Sequence, residues 1–421
     1  MAIRTAGITR AAPVVMPAAA LPFRERLLLV MLYIAIFTSS VAFIEPSPHD
    51  FLMGVLALAC VIAGVRFERR LAALFLLLLV WNLGGLLSLL NVPNQEKAIQ
   101  YTATSIYLAL AAVMYGCLFA DNTMTRLKVM RSAYVATAVI ASILGMLGYF
   151  NAFGTEQLFA PIGRAAGAFK DPNVFGPFLI WPALMLLEEM LSREIRIRNV
   201  IVAMIILLGL LLSFSRGAWF HFGVSATVTL VLAFLTAPTA RIRFRVFGLA
   251  ASGVAGLAAM LIVLLSIPSI GDMFTERAHL IQYYDVGQGG RFRLQELAVA
   301  ALLKFPNGMG PFEFARVHGL QQHNVYLQAF MVYGWIGGMT YFVLLLATLY
   351  AGLRAAFIRT PWQPYLITAF GAFVGEMAEG PVIDTDHWRH FFLLLGAVWG
   401  LYAATMRQRD ANAAPSLPQR A

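Results

Sequence analysis

The residues best suited to chemistry lie in His323–Gly338, H-N-V-Y-L-Q-A-F-M-V-Y-G-W-I-G-G, where a long polar segment meets an apolar run. Asn324 is a good N-cap residue, so the spacing predicts a helix that begins just after it. His323 then stands beside unpaired backbone N–H groups at the positive end of a helix dipole, which attracts anions and disfavours an imidazolium. A neutral imidazole in that position can serve as a general base toward a hydroxyl. The same position also suits an interfacial histidine that only bonds a loop carbonyl.

Arg216 lies in S-F-S-R-G-A-W, between two apolar runs. A connection so short keeps its guanidinium in the interfacial zone, where it pairs with phosphate or carboxylate or snorkels to anchor a helix end. Arg291 and Arg293 follow G-Q-G-G at a predicted helix start. That pattern makes a phosphate cradle, or simply a solvated helix end. Arg164 and Lys170, in P-I-G-R-A-A-G-A-F-K-D-P-N, form another basic loop before a helix that Asp171 would start. In E-G-P-V-I-D-T-D-H-W-R-H, residues 379–390, the residues Asp384, Asp386, His387 and His390 suit a divalent ion by ligand type. A salt-bridged loop gives the same pattern, with Asp384 or Asp386 pairing with Arg389 or holding a sugar hydroxyl.

The elements that must position these residues are set by hydropathy. The chain has 421 residues, 60% hydrophobic and 12% charged, with a mean hydropathy of +0.75. Soluble domains run to about 25% charged residues, so the composition specifies an integral membrane protein in contact with a lipid bilayer, and its long apolar runs read as spanning helices, an all-α fold. The net charge of +10 does not indicate nucleic acid, because Lys and Arg gather in short clusters between apolar runs. Cys60 and Cys117 both lie in apolar runs and form no disulfide framework or cysteine metal site.

A spanning helix needs about 20 mostly apolar residues. Twelve candidate spans fall at 27–45, 50–65, 71–90, 99–120, 132–153, 173–190, 199–215, 217–236, 246–268, 324–349, 364–382 and 390–406. They form one polytopic membrane unit, 27–406, between a polar N-terminal tail, 1–26, and a short C-terminal tail, 407–421. Of 31 basic residues, 21 fall in the tails and in every second connection, which predicts that both termini are cytoplasmic. The other ten are Lys97, Arg164, Lys170, Arg216, Arg277, Arg291, Arg293, Lys304, Arg316 and Arg389. They sit on the outward side, against the rule, and so invite a functional explanation. All seven histidines are also at or near that face. The longest outward connection, 269–322, precedes the tenth span. Within it, Leu294, Leu297, Ala298, Ala301, Leu302 and Phe305 recur at helical spacing, predicting an amphipathic helix able to lie on the bilayer, ended by Pro306-Asn307-Gly308.

The His323 stretch, with Asn324, Gly334 and Gly337 at their spacing, resembles the signature of the O-antigen ligase and O-antigen polymerase superfamily of bacterial inner-membrane proteins. S-R-G-A at 215–218, G-A-F-K-D-P-N-V-F-G at 167–176 and G-G-R-F-R-L-Q-E-L-A…K-F-P-N-G-M-G-P-F-E-F at 289–314 agree in order. The likeness spans about 160–340 and does not separate ligase from polymerase. It implies a C-type (GT-C-like) membrane glycosyltransferase that works without metal or cofactor. The reaction implied is transfer of a glycan from undecaprenyl diphosphate to an acceptor hydroxyl at the periplasmic face, in O-antigen or exopolysaccharide assembly. The acceptor would be a lipid A-core sugar or another lipid-linked glycan.

On that expectation His323 takes the acceptor proton, and Arg216 and Arg291 clamp the leaving diphosphate. Arg293, Arg164, Lys170, Asn324, Asp386 and Arg389 are the expected substrate-binding residues, and the motif glycines serve helix packing. The D-T-D-H-W-R-H loop is a departure from the superfamily pattern. A twelve-helix secondary transporter and a non-catalytic subunit of a polysaccharide export complex are the competing functions.

Overall fold

A chain buried in hydrocarbon must satisfy its own backbone, and long apolar runs do so as helices. The computed structural model describes residues 21–93, 95–192, 194–278, 286 and 289–413. Most of the expected N-terminal tail (1–20), the end of the C-terminal tail (414–421), and Arg4, Arg10, Arg193, His279 and Arg420 lie outside the described residues.

The described residues form helices and no strand. In chain order these are α1 (Phe23–Phe37), α2 (Pro48–Ala63), α3 (Ala72–Ser88), α4 (Gln95–Ala120), α5 (Thr123–Tyr149), α6 (Glu156–Phe159), α7 (Pro172–Phe178), α8 (Ile180–Ser192) and α9 (Ile197–Leu212). They continue as α10 (Arg216–Thr236), α11 (Ala240–Leu265), α12 (Pro268–Ala278), α13 (Arg291–Lys304), α14 (Glu313–His318), α15 (Val325–Ala356), α16 (Gln363–Glu379) and α17 (Arg389–Ala413). Each of the twelve predicted apolar segments contains a helix, the sixth divided into α7 and α8.

By length and composition seven are able to cross a membrane: α3 with its flanking turns, α4, α5, α7–α8, α10, α11 and α15. The apolar helices α2 and α9 are shorter. The protein is a multi-pass α-helical membrane protein. The helix starts follow capping chemistry: Ser47 and Asp50 form a capping box on α2, and Asp171, followed by Pro172, accepts from Asn173 N–H.

Packing is most extensive between α4 and α17, α10 and α16, and α3 and α15. Gly84 on α3 lies so close to α15 that a Cβ would stand 2.9 Å from the backbone nitrogen of Gly337. Small residues let backbones approach where lipid offers no hydrophobic drive for association. Charges gather at the two ends of the helices. At one end Arg126, buried, holds Glu25 through two bonds of 3.0 Å, and Arg407 and Arg70 meet Glu68. At the other end Arg389 clamps Asp50, with bonds of 2.9 and 2.7 Å.

α15 is interrupted at Gly334, whose φ of 65° and ψ of −170° belong to a region used almost solely by glycine. The turn after α13 fills the break. Met309 N–H donates to Met331 C=O at 2.7 Å, and Trp335 N–H donates to Pro306 C=O at 2.8 Å. The loop backbone thus replaces bonds that the helix gives up, as broken helices in membranes require. A Cβ on Gly334 would stand 2.7 Å from the carbonyl carbon of Asn307 and 2.8 Å from the Pro306 oxygen. Gly334→Ala is therefore expected to destabilise the fold by at least about 1–3 kcal/mol of backbone strain. A thermal unfolding series in detergent checks this, and an unchanged midpoint would contradict it.

The amphipathic helix predicted in the long connection is α13, and its predicted apolar face is the one it buries, though against protein. Leu294, Ala298 and Ala301 pack on Met331 and Phe314, covering α15, rather than lying on a bilayer. Small residues at 298 and 301 allow that close seat. Phe292, Val299 and Leu303 remain exposed on the other side.

Candidate functional site

The site is built from the start of α15 outward. Asn324 Oδ1 accepts from Tyr326 N–H at 3.0 Å and Leu327 N–H at 3.2 Å, so the predicted N-cap is formed. Asn324 N–H donates to Asp384 Oδ1 at 2.9 Å, and Val325 N–H donates to Ile383 C=O at 3.1 Å. The loop after α16 is thereby stitched to the start of α15. On the other side Gln322 is fully buried, and its side-chain amide donates to Gln328 Oε1.

His323, between these anchors, has a φ of 46°, a left-handed conformation uncommon for a residue with a Cβ. Its side chain is 48% exposed, and Nδ1 stands 3.5 Å from Asp384 Oδ2. An ionised Asp384 favours the tautomer with its proton on Nδ1, leaving the lone pair on Nε2. Burial pushes the Asp384 carboxyl above the ordinary carboxylate range, and its hydrogen bond with His323 draws it back only in part.

Two arginine-bearing helix starts adjoin this centre. Gln295, one turn after Arg291 on α13, donates to Pro381 C=O at 3.0 Å and to Gln322 C=O at 3.4 Å. This clasp ties the first turn of α13 to the residue before His323. On the other flank, Gly217 at the start of α10 lies against the Glu379 carboxylate. Gly380, next in sequence, lies against Val325 and Tyr326. Arg216, the first residue of α10, thus adjoins the end of α16 that borders the start of α15.

The remaining candidates go elsewhere. Arg293 pairs with Glu296 at 2.7 Å on the exposed side of α13. Arg164 is buried; Nε donates to Ser213 C=O and Nη2 to Asn173 Oδ1, both at 2.8 Å, fastening the end of α9 to α7. Lys170 meets Glu45 at 3.0 Å. Arg389 takes Asp50, not the expected Asp384 or Asp386, because the start of α17 faces the start of α2. Lys170 and Arg389 border a cavity of about 230 Å³, together with His49, His387, Trp388 and His390, while His323, Arg216 and Arg291 are not among its lining.

Asp386 was expected to meet a sugar hydroxyl, but its carboxylate is enclosed by protein donors. Tyr101 OH donates to it at 2.6 Å, Tyr333 OH lies at 3.4 Å and His387 Nδ1 at 3.2 Å. Burial opposes its ionisation, but the charge and hydrogen bond of His387, with Tyr101, outweigh that and hold the carboxyl below its usual value. Asp384, Asp386 and Arg389 thus go to separate partners: the start of α15, Tyr101 with His387, and Asp50.

Asp384 was weighed as a metal ligand, a partner of Arg389 or a holder of a sugar hydroxyl, and its place beside His323 was not anticipated. The signal available was a carboxylate in an outward loop, which names no partner. Gln295 and Gln322 carried no signal at all, being ordinary polar residues in a polar segment. No protein-family model matches the chain, and no curated protein matches it.

Proposed function

We propose that this protein is a metal-independent, inverting membrane glycosyltransferase of the O-antigen ligase and polymerase type. It moves a glycan from undecaprenyl diphosphate to an acceptor hydroxyl at the periplasmic face of the bacterial inner membrane. In this reading all twelve apolar segments span the membrane in a GT-C-like arrangement, and both termini are cytoplasmic. The acceptor is a lipid A-core sugar for a ligase, or another lipid-linked glycan for a polymerase.

The observation that carries the reading is the meeting of three segments at the start of α15: His323 with Asp384 beside it, α13 clasped through Gln295, and the end of α16 seated on Gly217. The acceptor oxygen attacks the anomeric carbon as the bond from that carbon to the phosphate oxygen breaks. The electron pair leaves on the diphosphate, and the hydroxyl proton passes to His323 Nε2. Arg216 and Arg291 supply the positive charge that meets the leaving group, a role that planar guanidinium groups fill bidentately.

Glycan analysis of a deletion strain tests the reading. Complete lipid-linked polymer with none on lipid A indicates ligation, and accumulated single repeats indicate polymerisation. Unchanged glycans would remove both. A secondary transporter is favoured by one observation, the buried pair His221–Glu379, with Nδ1 2.9 Å from Oε2. That reading expects solute movement in vesicles that does not depend on His323.

The pH dependence has a definite sign. Transfer needs Asp384 ionised, so the rate falls as pH drops through the titration of that carboxyl, which burial has raised. Stability moves the other way. Because the folded-state pKa of Asp384 lies above its unfolded value, the residue costs stability once ionised, and that cost is relieved as pH falls through the folded pKa. Comparing wild type with Asp384→Asn in rate and in unfolding temperature across pH separates the two. Parallel acid losses of both that vanish together in the variant would contradict this assignment.

A further inference from the structure

Glu376, near the C-terminal end of α16, is 1% exposed, and among the described residues neither of its carboxyl oxygens has a hydrogen-bond partner. His390 on α17 stands near it, with Nε2 3.8 Å from Glu376 Oε1, and among the described residues that nitrogen also lacks a hydrogen-bond partner. An ionised carboxylate buried without donors is expensive, and the neutral acid avoids that cost. His390 is itself buried and lines the cavity of about 230 Å³ bordered by Lys170 and Arg389. The imidazole therefore stands between that cavity and the carboxyl.

The other titratable groups around Glu376 are committed or do not exchange a proton readily. Glu379, one turn along α16, is bonded to His221 on α10, whose Nε2 bonds Ala372 C=O at 3.0 Å. From α5 Tyr134 faces the carboxyl and donates to Phe178 C=O at 3.1 Å. From α15 Tyr341 also faces it. The gap from His390 exceeds a direct bond, and one water or a small rotation of either side chain spans it.

We propose that Glu376 is a proton-binding site that exchanges with the cavity through His390. A proton from cavity water adds to His390 Nδ1, giving the imidazolium. A turn of the ring presents that new N–H to Glu376 Oε1 and the proton passes across, leaving a neutral acid and a neutral imidazole in its original tautomer. Reversal returns the proton to the cavity. The bound species is a proton, and the site owes nothing to the glycan-transfer reading: it rests on α16, α17 and the cavity that His390 lines, not on His323.

Infrared difference spectroscopy of the full-length protein in lipid nanodiscs tests this at neutral pH. The carbonyl band of a protonated carboxylic acid is expected in the wild type, to be lost in Glu376→Gln and retained in Glu379→Gln. On transfer to heavy water the band shifts as the proton exchanges, and His390→Phe is expected to slow that shift by roughly 10²-fold. His390→Gln provides a second variant should the phenylalanine disturb packing. A band that survives Glu376→Gln overturns the proposal, as does exchange equally fast in both His390 variants.

Discussion

His323→Ala is expected to lower glycan transfer by roughly 10²–10⁴-fold, the usual contribution of a positioned general base, while the protein still inserts and folds. The side chain is 48% exposed, so its removal leaves little cavity. The backbone at 323 is left-handed, so His323→Asn is the better-tolerated companion and is expected to show the same loss. Asp384→Asn should fall between these variants and the wild type, because it keeps an oxygen near Nδ1 but no charge to hold the tautomer. The assay is transfer from a lipid-linked donor by purified protein in liposomes. Full activity in both His323 variants would remove histidine from the mechanism and leave the transporter or the assembly subunit as the better account.

The second large effect concerns the guanidinium groups. Arg216→Ala and Arg291→Ala are each expected to reduce turnover by roughly 10²–10³-fold, as loss of one preorganised donor to developing charge does elsewhere. The loss should appear in kcat more than in KM, because the charge they meet is greatest as the diphosphate departs. Lysine at either position keeps the charge without the planar fork and should recover only part of the rate. Because both would act on one leaving group, the double variant should lose less than the product of the single losses. Fully multiplicative losses would place the two arginines in separate steps. Wild-type rates in either single variant would return that residue to the role of a helix-end anchor.

The candidate site was legible in part. His323 and its neighbour were legible because capping is a local matter: Asn324 bonds the N–H groups of Tyr326 and Leu327, two and three residues on. Gly334 was expected to aid packing, and the chain does approach closely there. The break in α15 and its filling by the 306–310 turn were not foreseen, because a glycine in an apolar run looks the same whether or not the helix continues through it. Arg164 and Arg389 illustrate the opposite failure. Both were outward cations against the topology rule, and both are bonded within the protein, to Ser213 and Asn173 in one case and Asp50 in the other. Charge sign and side of the membrane do not reveal whether a counter-charge waits on a distant helix.

By itself the sequence determined that this is a multi-pass helical membrane protein, where its apolar helices lie and which residues cap them. Those properties depend on hydropathy and on bonds between near neighbours in the chain. Only the tertiary structure decided which polar groups meet: Asp384 with the start of α15 across 60 positions, Arg389 with Asp50 across 339, and Asp386 with Tyr101 across 285. The physical reason is that a charged group accepts any partner of suitable geometry. Its choice is made by the packing of helices, which the local order of residues does not specify.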